Sequence, residues 1–212
     1  MGSPHLREDA GVRARLHEWL HRKAVLGRRI RSLIGGLDRM IPAGDSVLDV
    51  GCGNGAIGAA LAGSGSRVVV GAETRSRASC EIPSVVFDGF ALPAATDSVD
   101  WVLFVDVLHH AVDAERIVED ARRVARRGVV IKDHYGNTTR ARKVLAFMDW
   151  VGNRHLDVDL QDNYLSRRQW DVLWAGSGLT VDELTEDLDL YPWPVKPLFE
   201  RGLHFMARLT IS

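Results

Sequence analysis

Cysteine and long apolar runs are both scarce in this sequence. Its 212 residues include two cysteines, at positions 52 and 80, so a disulfide framework is not expected and a reducing compartment is predicted. No apolar run approaches the roughly 20 residues that cross a bilayer, and the amino terminus is polar and arginine-rich, without the apolar core of a secretion signal. These absences predict a soluble, cytoplasmic protein with no membrane span.

Charge is nearly balanced overall but unevenly distributed. The formal net charge is −1, while lysine and arginine concentrate in residues 7 to 31 and acids in residues 157 to 190. The basic segment is compatible with a polyanionic partner, but Leu16, Trp19 and Leu20 are spaced among its charges as in a solvated amphipathic helix, which is the preferred interpretation. The sequence carries no recognised nucleic-acid-binding module, so a nucleic-acid partner is disfavoured.

The middle of the chain alternates between strand and helix patterns. Short β-branched and aliphatic runs predict five strands, at 46–50, 67–72, 85–87, 99–105 and 129–132. Helices are predicted near 56–62 and 113–126, the second with Asp113 as its N-cap. Strands joined by crossovers imply a parallel, doubly wound α/β sheet, which a chain of 212 residues can form as a single domain.

Further helices are predicted on both sides of this alternation. One or two helices span 8–41, interrupted near Gly35-Gly36 and closed by Pro42. Another helix covers about 138–151, after the fifth strand. The amino-terminal helices therefore form an extension that precedes the first strand.

The last third of the chain predicts a helix and an antiparallel strand pair. Ser166 with Gln169 three residues on has the spacing of a capping box, which opens a helix. Two strands, at about 179–186 and 203–210, flank a proline-rich run, 191–197, that can be neither helix nor central strand. We expect the two strands to pair at the edge of the sheet.

A glycine-rich turn follows the first strand directly, in the run VLDVGCGNG from Val47 to Gly55. Glycine at alternate positions lets the backbone approach a nucleotide-like cofactor where a Cβ would collide. Residues 53–58 match the GxGxxG dinucleotide pattern, and Glu73 lies about 20 residues further on, where a ribose would be bound. The turn holds no Lys or Arg for a pyrophosphate, however, and Asp49 places a carboxylate beside it, which favours a cationic or amine group instead.

Residues in this turn and beyond it follow the motif order of one enzyme family. In chain order they are Asp49-Val50-Gly51-Cys52-Gly53-Asn54-Gly55, Glu73, Asp88, Leu92-Pro93, Val99-Asp100 and Leu108-His109-His110. This set resembles the class I S-adenosylmethionine-dependent methyltransferases, in particular the compact small-molecule branch similar to methyltransferase type 11 and the ubiquinone/menaquinone-biosynthesis enzymes. Several motifs in one order, over about residues 45–135, are more specific than any one of them.

The resemblance implies a particular fold and domain organisation. It predicts a Rossmann-like α/β/α sandwich, with a doubly wound, seven-stranded, mostly parallel sheet and an antiparallel edge strand. Residues 1–212 form a single domain, in which 1–42 are amino-terminal helices, 45–135 the cofactor-binding half and 136–212 the substrate-side half. The short segment between Glu73 and the third strand departs from the family pattern, so the helix usual there is shortened or lost.

The resemblance also assigns S-adenosylmethionine as cofactor, with Asp49, Gly51, Gly53, Gly55, Glu73, Asp88, Gly89 and Asp106 as its binding residues. The glycines pass close to the methionine and ribose portions, and Asp49 acts on the methionine amine directly or through water. Glu73 accepts from both ribose hydroxyls. Asp88 accepts from the adenine amino group, and the backbone of Gly89 serves a ring nitrogen. The alternatives are a solvated strand end for Glu73 and a turn-forming role for Asp88.

Candidate catalytic residues follow the fourth and fifth strands. A sulfonium methyl is already electrophilic, so catalysis needs an in-line approach, and a base only where the acceptor must lose a proton. His134 is the leading base candidate because Asp133 beside it can orient the imidazole. His109 and His110 are further candidates, although each fits pocket-shaping better. A hydrogen-bonded loop histidine remains the alternative for His134.

Aromatic and polar segments outside these motifs predict the acceptor side. They are 148–153, 163–164 and 191–193, where Trp150 and Trp193 are equally interpretable as packing residues. No metal site is predicted, since the run of His155, Asp157, Asp159 and Asp162 has no known ligand spacing and is expected to be a solvated loop. We expect a small-molecule methyl acceptor. A nicotinamide-dependent oxidoreductase and a catalytically silent scaffold are the rival functions, and the oligomeric state is left open.

Overall fold

A seven-stranded sheet forms the centre of the molecule. The structure is a computed structural model, and it describes residues 27–77, 79–153 and 163–211. The strands are β1 Ser46–Val50, β2 Val68–Glu73, β3 Ser84–Val86, β4 Val99–Val105, β5 Ala125–His134, β6 Leu179–Thr185 and β7 His204–Ile211. Their order in the sheet is β3-β2-β1-β4-β5-β7-β6. The first five run parallel, and β7 is antiparallel to both β5 and β6, which confirms the predicted fold class with its antiparallel pair at one edge.

Helices cover both faces of this sheet. They are α1 at 27–40, α2 Ala56–Gly65, α3 Ala114–Val124, α4 Thr139–Asn153, α5 Arg167–Gly176 and α6 Lys196–Phe199. Both predicted caps are present: the Asp113 side chain accepts from the backbone N–H of Arg116, and Ser166 with Gln169 forms the capping box that begins α5. Within the described residues, no helix is long and apolar enough to cross a membrane.

The core lies in two layers because strand side chains alternate between the faces. Leu48 of β1 and Val102 of β4 point to the face that α3 and α5 cover. Val47 and Leu103, the adjacent residues, point to the face that α1 and α2 cover. Buried apolar side chains on both faces explain why the parallel strands are near-continuous apolar runs.

The first helix corrects one expectation, because α1 continues through Gly35 and Gly36 without the predicted interruption. Leu33 and Leu37 are fully buried on either side of the glycines, so packing stabilises the turn that glycine alone weakens. A Cβ on Gly36 would lie 2.9 Å from the sulfur of Met206, so the absent side chain allows α1 to approach β7. The rest of the predicted amino-terminal helices, residues 8–26, lies outside the described residues.

The fifth strand is longer than the predicted 129–132, and this changes where candidate residues lie. Pairing with β7 continues through Asp133 opposite Phe205 and His134 opposite His204. The antiparallel neighbour supplies backbone hydrogen bonds that extend the strand through these polar residues. Asp133 and His134 are therefore fixed on the sheet and do not lie in the loop where the sequence analysis put them. The predicted loss of a helix after Glu73 is confirmed, since residues 74–77 and 79–83 contain none.

Candidate cofactor and acceptor site

The glycine turn between β1 and α2 presents backbone at the carboxyl end of the sheet. Gly51, Gly53 and Gly55 have φ angles of 69°, 58° and 77°, a region that residues with a Cβ rarely adopt. A Cβ on Gly51 would lie 2.5 Å from Val107, and one on Gly55 would lie 2.9 Å from Cys80, so both glycines are packed against protein. At Gly53, no described atom beyond its chain neighbours lies within 4 Å of that position, so the face of Gly53 where a Cβ would stand is open.

Glu73, at the carboxyl end of β2, reaches back to this turn. Its Oε2 accepts from the backbone N–H of Gly53 at 2.9 Å, and its Oε1 accepts from the N–H of Thr74 at 2.9 Å. The side chain is largely buried, which contradicts the alternative of a solvated strand end. The structure therefore brings two residues 20 positions apart into one hydrogen-bonded unit beside the open face of Gly53.

Asp49 is a buried carboxylate beneath the same turn. Only 3% of the residue is exposed, and its Oδ2 makes no hydrogen bond with any described group. Burial, and then the nearby charge of Glu73, raise the pKa of Asp49 to about 7. Gly58 of α2 permits this arrangement, since a Cβ there would lie 3.0 Å from the Asp49 Oδ2. An uncompensated carboxylate in this place is suited to a cationic ligand group.

Asp88 lies in an exposed turn after β3. Its Oδ1 accepts from the backbone N–H groups of Phe90 and Ala91, at 2.8 and 2.9 Å. These hydrogen bonds lower the pKa of Asp88 below its usual value. The turn-forming alternative therefore describes the role of Oδ1. Gly89 next to it has a φ of 85°, a backbone conformation that favours glycine.

Asp106, directly after β4, belongs to a cluster of charged side chains. Its carboxylate accepts from Lys132 of β5 and from Arg29 of α1. Lys132 is fully buried, and its Nζ lies 3.3 Å from the Nδ1 of His204. Burial would raise the pKa of Asp106, but the charges of Lys132 and Arg29 outweigh it and hold that pKa well below 3.8. The structure places Asp106 among these cations.

His134 is held in one orientation on β5. Its Nδ1 lies 3.1 Å from the Oδ1 of Asp133, and its backbone N–H donates to the same oxygen at 2.9 Å. Its Nε2 lies 3.5 Å from Asp106. Burial, and then the charge of Lys132, lower the pKa of His134 below 6.5. An imidazole with a lowered pKa is neutral at physiological pH, which is the state a general base requires.

His109 and His110, in the 3-10 turn Leu108–His110, have different surroundings from His134. His109 lies between two carboxylates, with Nδ1 2.6 Å from Asp133 and Nε2 3.4 Å from Asp149 of α4. Burial opposes protonation, but Asp133 and Asp149 together raise the pKa of His109 to about 10. His110 is partly exposed, and its ring centroid lies 3.9 Å from that of His109. A protonated His109 cannot accept a proton, so it is a weaker base candidate than His134.

Several residues of this site were not found from the sequence. They are Arg29, Lys132 and His204, each of which contacts Asp106 or His134. Lys132 alone carried a local signal, since it is a charge at the end of the apolar run VVI in a strand that is buried on both faces. The other two are brought to the site by elements distant in sequence.

Only some residues of the predicted acceptor segments lie at the site. Asp149 and Tyr164 lie at the site, where Tyr164 donates to Asp149 and its ring stacks on His109 with centroids 5.3 Å apart. Trp150 and Trp193 are 54% and 83% exposed, so neither is a core residue. An open groove of about 430 Å³ lies between α4 and α6, lined by Thr139, Arg140, Lys143, Val144, Phe147, Leu198 and Phe199. The run 155–162 lies outside the described residues.

This strand order, with a glycine turn after β1 and an acid ending β2, is that of the class I S-adenosylmethionine-dependent methyltransferases. Comparison with protein families agrees. The profile of a family described as a methyltransferase domain matches residues 19–184, and the chain belongs to this family. S-adenosylmethionine is accordingly its cofactor. No curated protein matches the chain.

Solved structures with the same fold share little sequence with this chain. A chain from the complex between the Haloferax volcanii Trm112 methyltransferase activator and a protein described as a methyltransferase is 20% identical, with a TM-score of 0.64 over 92% of this chain and 97% of that chain. Geranyl diphosphate C-methyltransferase from Streptomyces coelicolor, in complex with Mg2+, geranyl diphosphate and S-adenosylhomocysteine, is 14% identical, with a TM-score of 0.62 over 83% and 78%. A methyltransferase from Aquifex aeolicus is 14% identical, with a TM-score of 0.58 over 84% and 88%.

Proposed function

We propose that this chain transfers a methyl group from S-adenosylmethionine to a small-molecule acceptor, and that the cofactor is held by the glycine turn. The observation that carries the proposal is the buried Asp49 carboxylate, whose near neighbour Glu73 accepts from the backbone N–H of Gly53 in the turn. The methionine ammonium matches an oxygen that has no hydrogen-bond partner among the described groups. The Asp49 carboxylate would repel the pyrophosphate of a nicotinamide dinucleotide, which disfavours the oxidoreductase alternative.

Residues of the turn and of the next two strands have separate roles in this proposal. The backbone at Gly51, Gly53 and Gly55 passes close to the methionine and ribose portions. Glu73 accepts from the ribose hydroxyls: Oε2 has a second lone-pair site besides the one that Gly53 N–H occupies, and at Oε1 a ribose hydroxyl replaces the Thr74 hydroxyl, which donates at 3.3 Å. Asp88 and Gly89 lie beside the adenine, with Asp88 Oδ2 turned to the ring since Oδ1 holds the turn.

His134 is the proposed general base on the acceptor side. The cofactor supplies an electrophilic methyl group, so the chain must orient the acceptor in line and remove its proton where it carries one. Asp133 holds Nδ1–H of His134 as donor, which leaves Nε2 as the acceptor of that proton. Asp106 lies 3.5 Å from Nε2 and stabilises the imidazolium that results. His109 and His110 shape this side of the pocket.

A small-molecule acceptor is supported by the groove between α4 and α6. Its volume of about 430 Å³ is within the range of sites for small ligands. Phe199 lines the groove and also packs against Tyr191, whose ring centroid lies 5.9 Å from that of His204. The groove thus adjoins the cluster that holds His134.

Isothermal titration calorimetry with S-adenosylhomocysteine and with NADH tests the cofactor assignment. We expect S-adenosylhomocysteine to bind and NADH not to bind. Binding of NADH without binding of S-adenosylhomocysteine would overturn the proposal. Glu73→Gln should weaken binding, while Glu119→Gln, an exposed position on α3, is the matched control that should not.

Transfer of a labelled methyl group tests the acceptor class. Label incubated with the protein and a cell extract should appear in the small-molecule fraction. Label in protein or nucleic acid instead would contradict a small-molecule acceptor. Cofactor binding without transfer to any fraction would indicate a silent scaffold.

A further inference from the structure

Three potential metal ligands meet where the 3-10 turn after β4 faces the inner side of α4. They are an imidazole nitrogen from each of His109 and His110 and a carboxylate oxygen of Asp149, and these atoms all lie within 4.8 Å of one another. Two residues are adjacent in the chain, and the third comes from a helix about 40 positions further on. No sequence motif predicts these three ligands together, because only the fold brings Asp149 of α4 to the two histidines.

His109 has the surroundings of a metal-ligating histidine. It is 1% exposed, and its Nε2 makes no hydrogen bond with a described group, although the Oδ2 of Asp149 lies 3.4 Å away. Two atoms bound at about 2.1 Å to one tetrahedral ion lie roughly 3.4 Å apart, so this spacing fits a shared ion. The opposite nitrogen, Nδ1, lies 2.6 Å from Asp133, and ligating histidines commonly donate their second nitrogen to a carboxylate in this way.

The neighbouring groups hold the ligands in position. Asp133 also accepts from the backbone N–H of Leu108 at 3.0 Å, which fixes the carboxylate that orients His109. Tyr164 donates to Oδ2 of Asp149 and stacks on the His109 ring. Carboxylates on either side of one imidazole attract a cation, and a proton and a metal ion compete for this position.

We propose that His109, His110 and Asp149 bind one divalent transition-metal ion, with Asp133 as the residue that positions His109. Two nitrogen donors and one oxygen donor suit Zn2+, Mn2+, Fe2+ or Co2+ better than Mg2+ or Ca2+, which prefer oxygen ligands. Three protein ligands leave coordination positions open for water or another oxygen ligand. The ring of His134 lies 4.8 Å from that of His109, so the ion would sit on the acceptor side.

Cobalt titration of the full chain, purified without a histidine tag, tests this proposal in the absence of cofactor and acceptor. Visible absorption of Co2+ should saturate at one ion per chain, and Zn2+ should displace it. His110→Ala and Asp149→Asn should each weaken binding by about tenfold or more. Asp187→Asn, at a side chain that is 83% exposed, is the matched control and should bind as the unaltered chain does.

X-ray absorption of the Co2+-loaded unaltered chain gives a second measurement. It needs no variant, so it remains informative even if the variants fail to fold. It should show two imidazole ligands. Failure to saturate at one ion, a spectrum without imidazole scattering, or unchanged binding in both ligand variants would overturn the site. Because neither methyl donor nor acceptor is present, such a failure leaves the proposed methyltransferase function intact, and the calorimetry with S-adenosylhomocysteine tests that function separately.

Discussion

Replacing Asp49 with asparagine tests whether burial beneath the glycine turn raises the pKa of this carboxyl group. Burial raises the pKa of Asp49 from 3.8 to about 7 in the folded protein. Below pH 4 the group is neutral in both the folded and the unfolded states, so it does not affect stability. Between pH 4 and 7 the unfolded chain releases the proton while the folded protein keeps it, and stability falls as pH rises. Above pH 7 the loss is complete.

The magnitude follows from the size of the shift. A change of about 3 pKa units corresponds to about 4 kcal/mol of unfolding free energy, of which about 2 kcal/mol is lost between pH 5.5 and 7. Asparagine has nearly the same shape and does not titrate. The stability of Asp49→Asn relative to the unaltered protein should therefore rise by about 2 kcal/mol from pH 5.5 to 8.5. For a domain of this size, that is roughly 4 to 8 °C in Tm.

Thermal unfolding of both proteins at pH 5.5 and pH 8.5 gives the stability difference between variant and unaltered protein at each pH. The change in that difference isolates Asp49, because the other titrating groups contribute equally to both proteins. Asp187→Asn, exposed to solvent, is the matched control and should show a difference near zero. A pH-independent difference for Asp49→Asn would refute the reasoning, because it would mean that Asp49 keeps an ordinary pKa. In the same variant, S-adenosylhomocysteine should bind more weakly by about 1.5 to 3 kcal/mol, as expected when a hydrogen bond to an ammonium loses its charge.

Three further substitutions test other parts of the site and the fold. Glu73→Ala should weaken S-adenosylhomocysteine binding by about 1 to 3 kcal/mol, measured by calorimetry, because hydrogen bonds to the ribose are lost. His134→Ala should lower turnover, measured with labelled cofactor, while the affinity for S-adenosylhomocysteine stays near that of the unaltered protein. Arg67→Ala should lower the free energy of unfolding by about 2 to 4 kcal/mol in a denaturant titration, because its buried guanidinium donates to the carbonyls of Ile41 and Pro42 at 3.1 Å.

Each of these expectations has an outcome that contradicts it. Unchanged affinity in Glu73→Ala would remove Glu73 from the cofactor site. Full turnover in His134→Ala would end its role as the base. A midpoint unchanged by Arg67→Ala would mean that water satisfies these carbonyls as well as the guanidinium does.

Local sequence was sufficient for the secondary structure around the glycine turn. The run from Val47 to Gly55 predicts a strand, a turn and a helix because its determinants are adjacent in the chain. The two helix caps were predictable for the same reason, since the side chain and the N–H that it accepts from are three residues apart. The order of apolar runs predicted the sheet, because a βαβ crossover has one favoured hand.

Tertiary structure decided the surroundings of the polar residues. Arg29 and Lys132 reach Asp106 from positions 77 and 26 residues away, and no local pattern connects them. The sequence ranked His134 above His109 as a base only because Asp133 adjoins it. In the fold, two carboxylates raise the pKa of His109, while burial and Lys132 lower that of His134.

Asp49 and Asp88 show why the sequence predicts the position of a carboxylate but not its protonation state. Each carboxylate follows or ends an apolar strand, and each was assigned to the cofactor. Folding buries Asp49, with no hydrogen-bond partner for Oδ2 among the described groups, and burial raises its pKa. Asp88 is left in an exposed turn, where backbone N–H groups lower its pKa. The sequence determined which residues stand at the carboxyl ends of the strands. The protonation state of each was decided by desolvation and by neighbours from distant segments, which exist only in the folded chain.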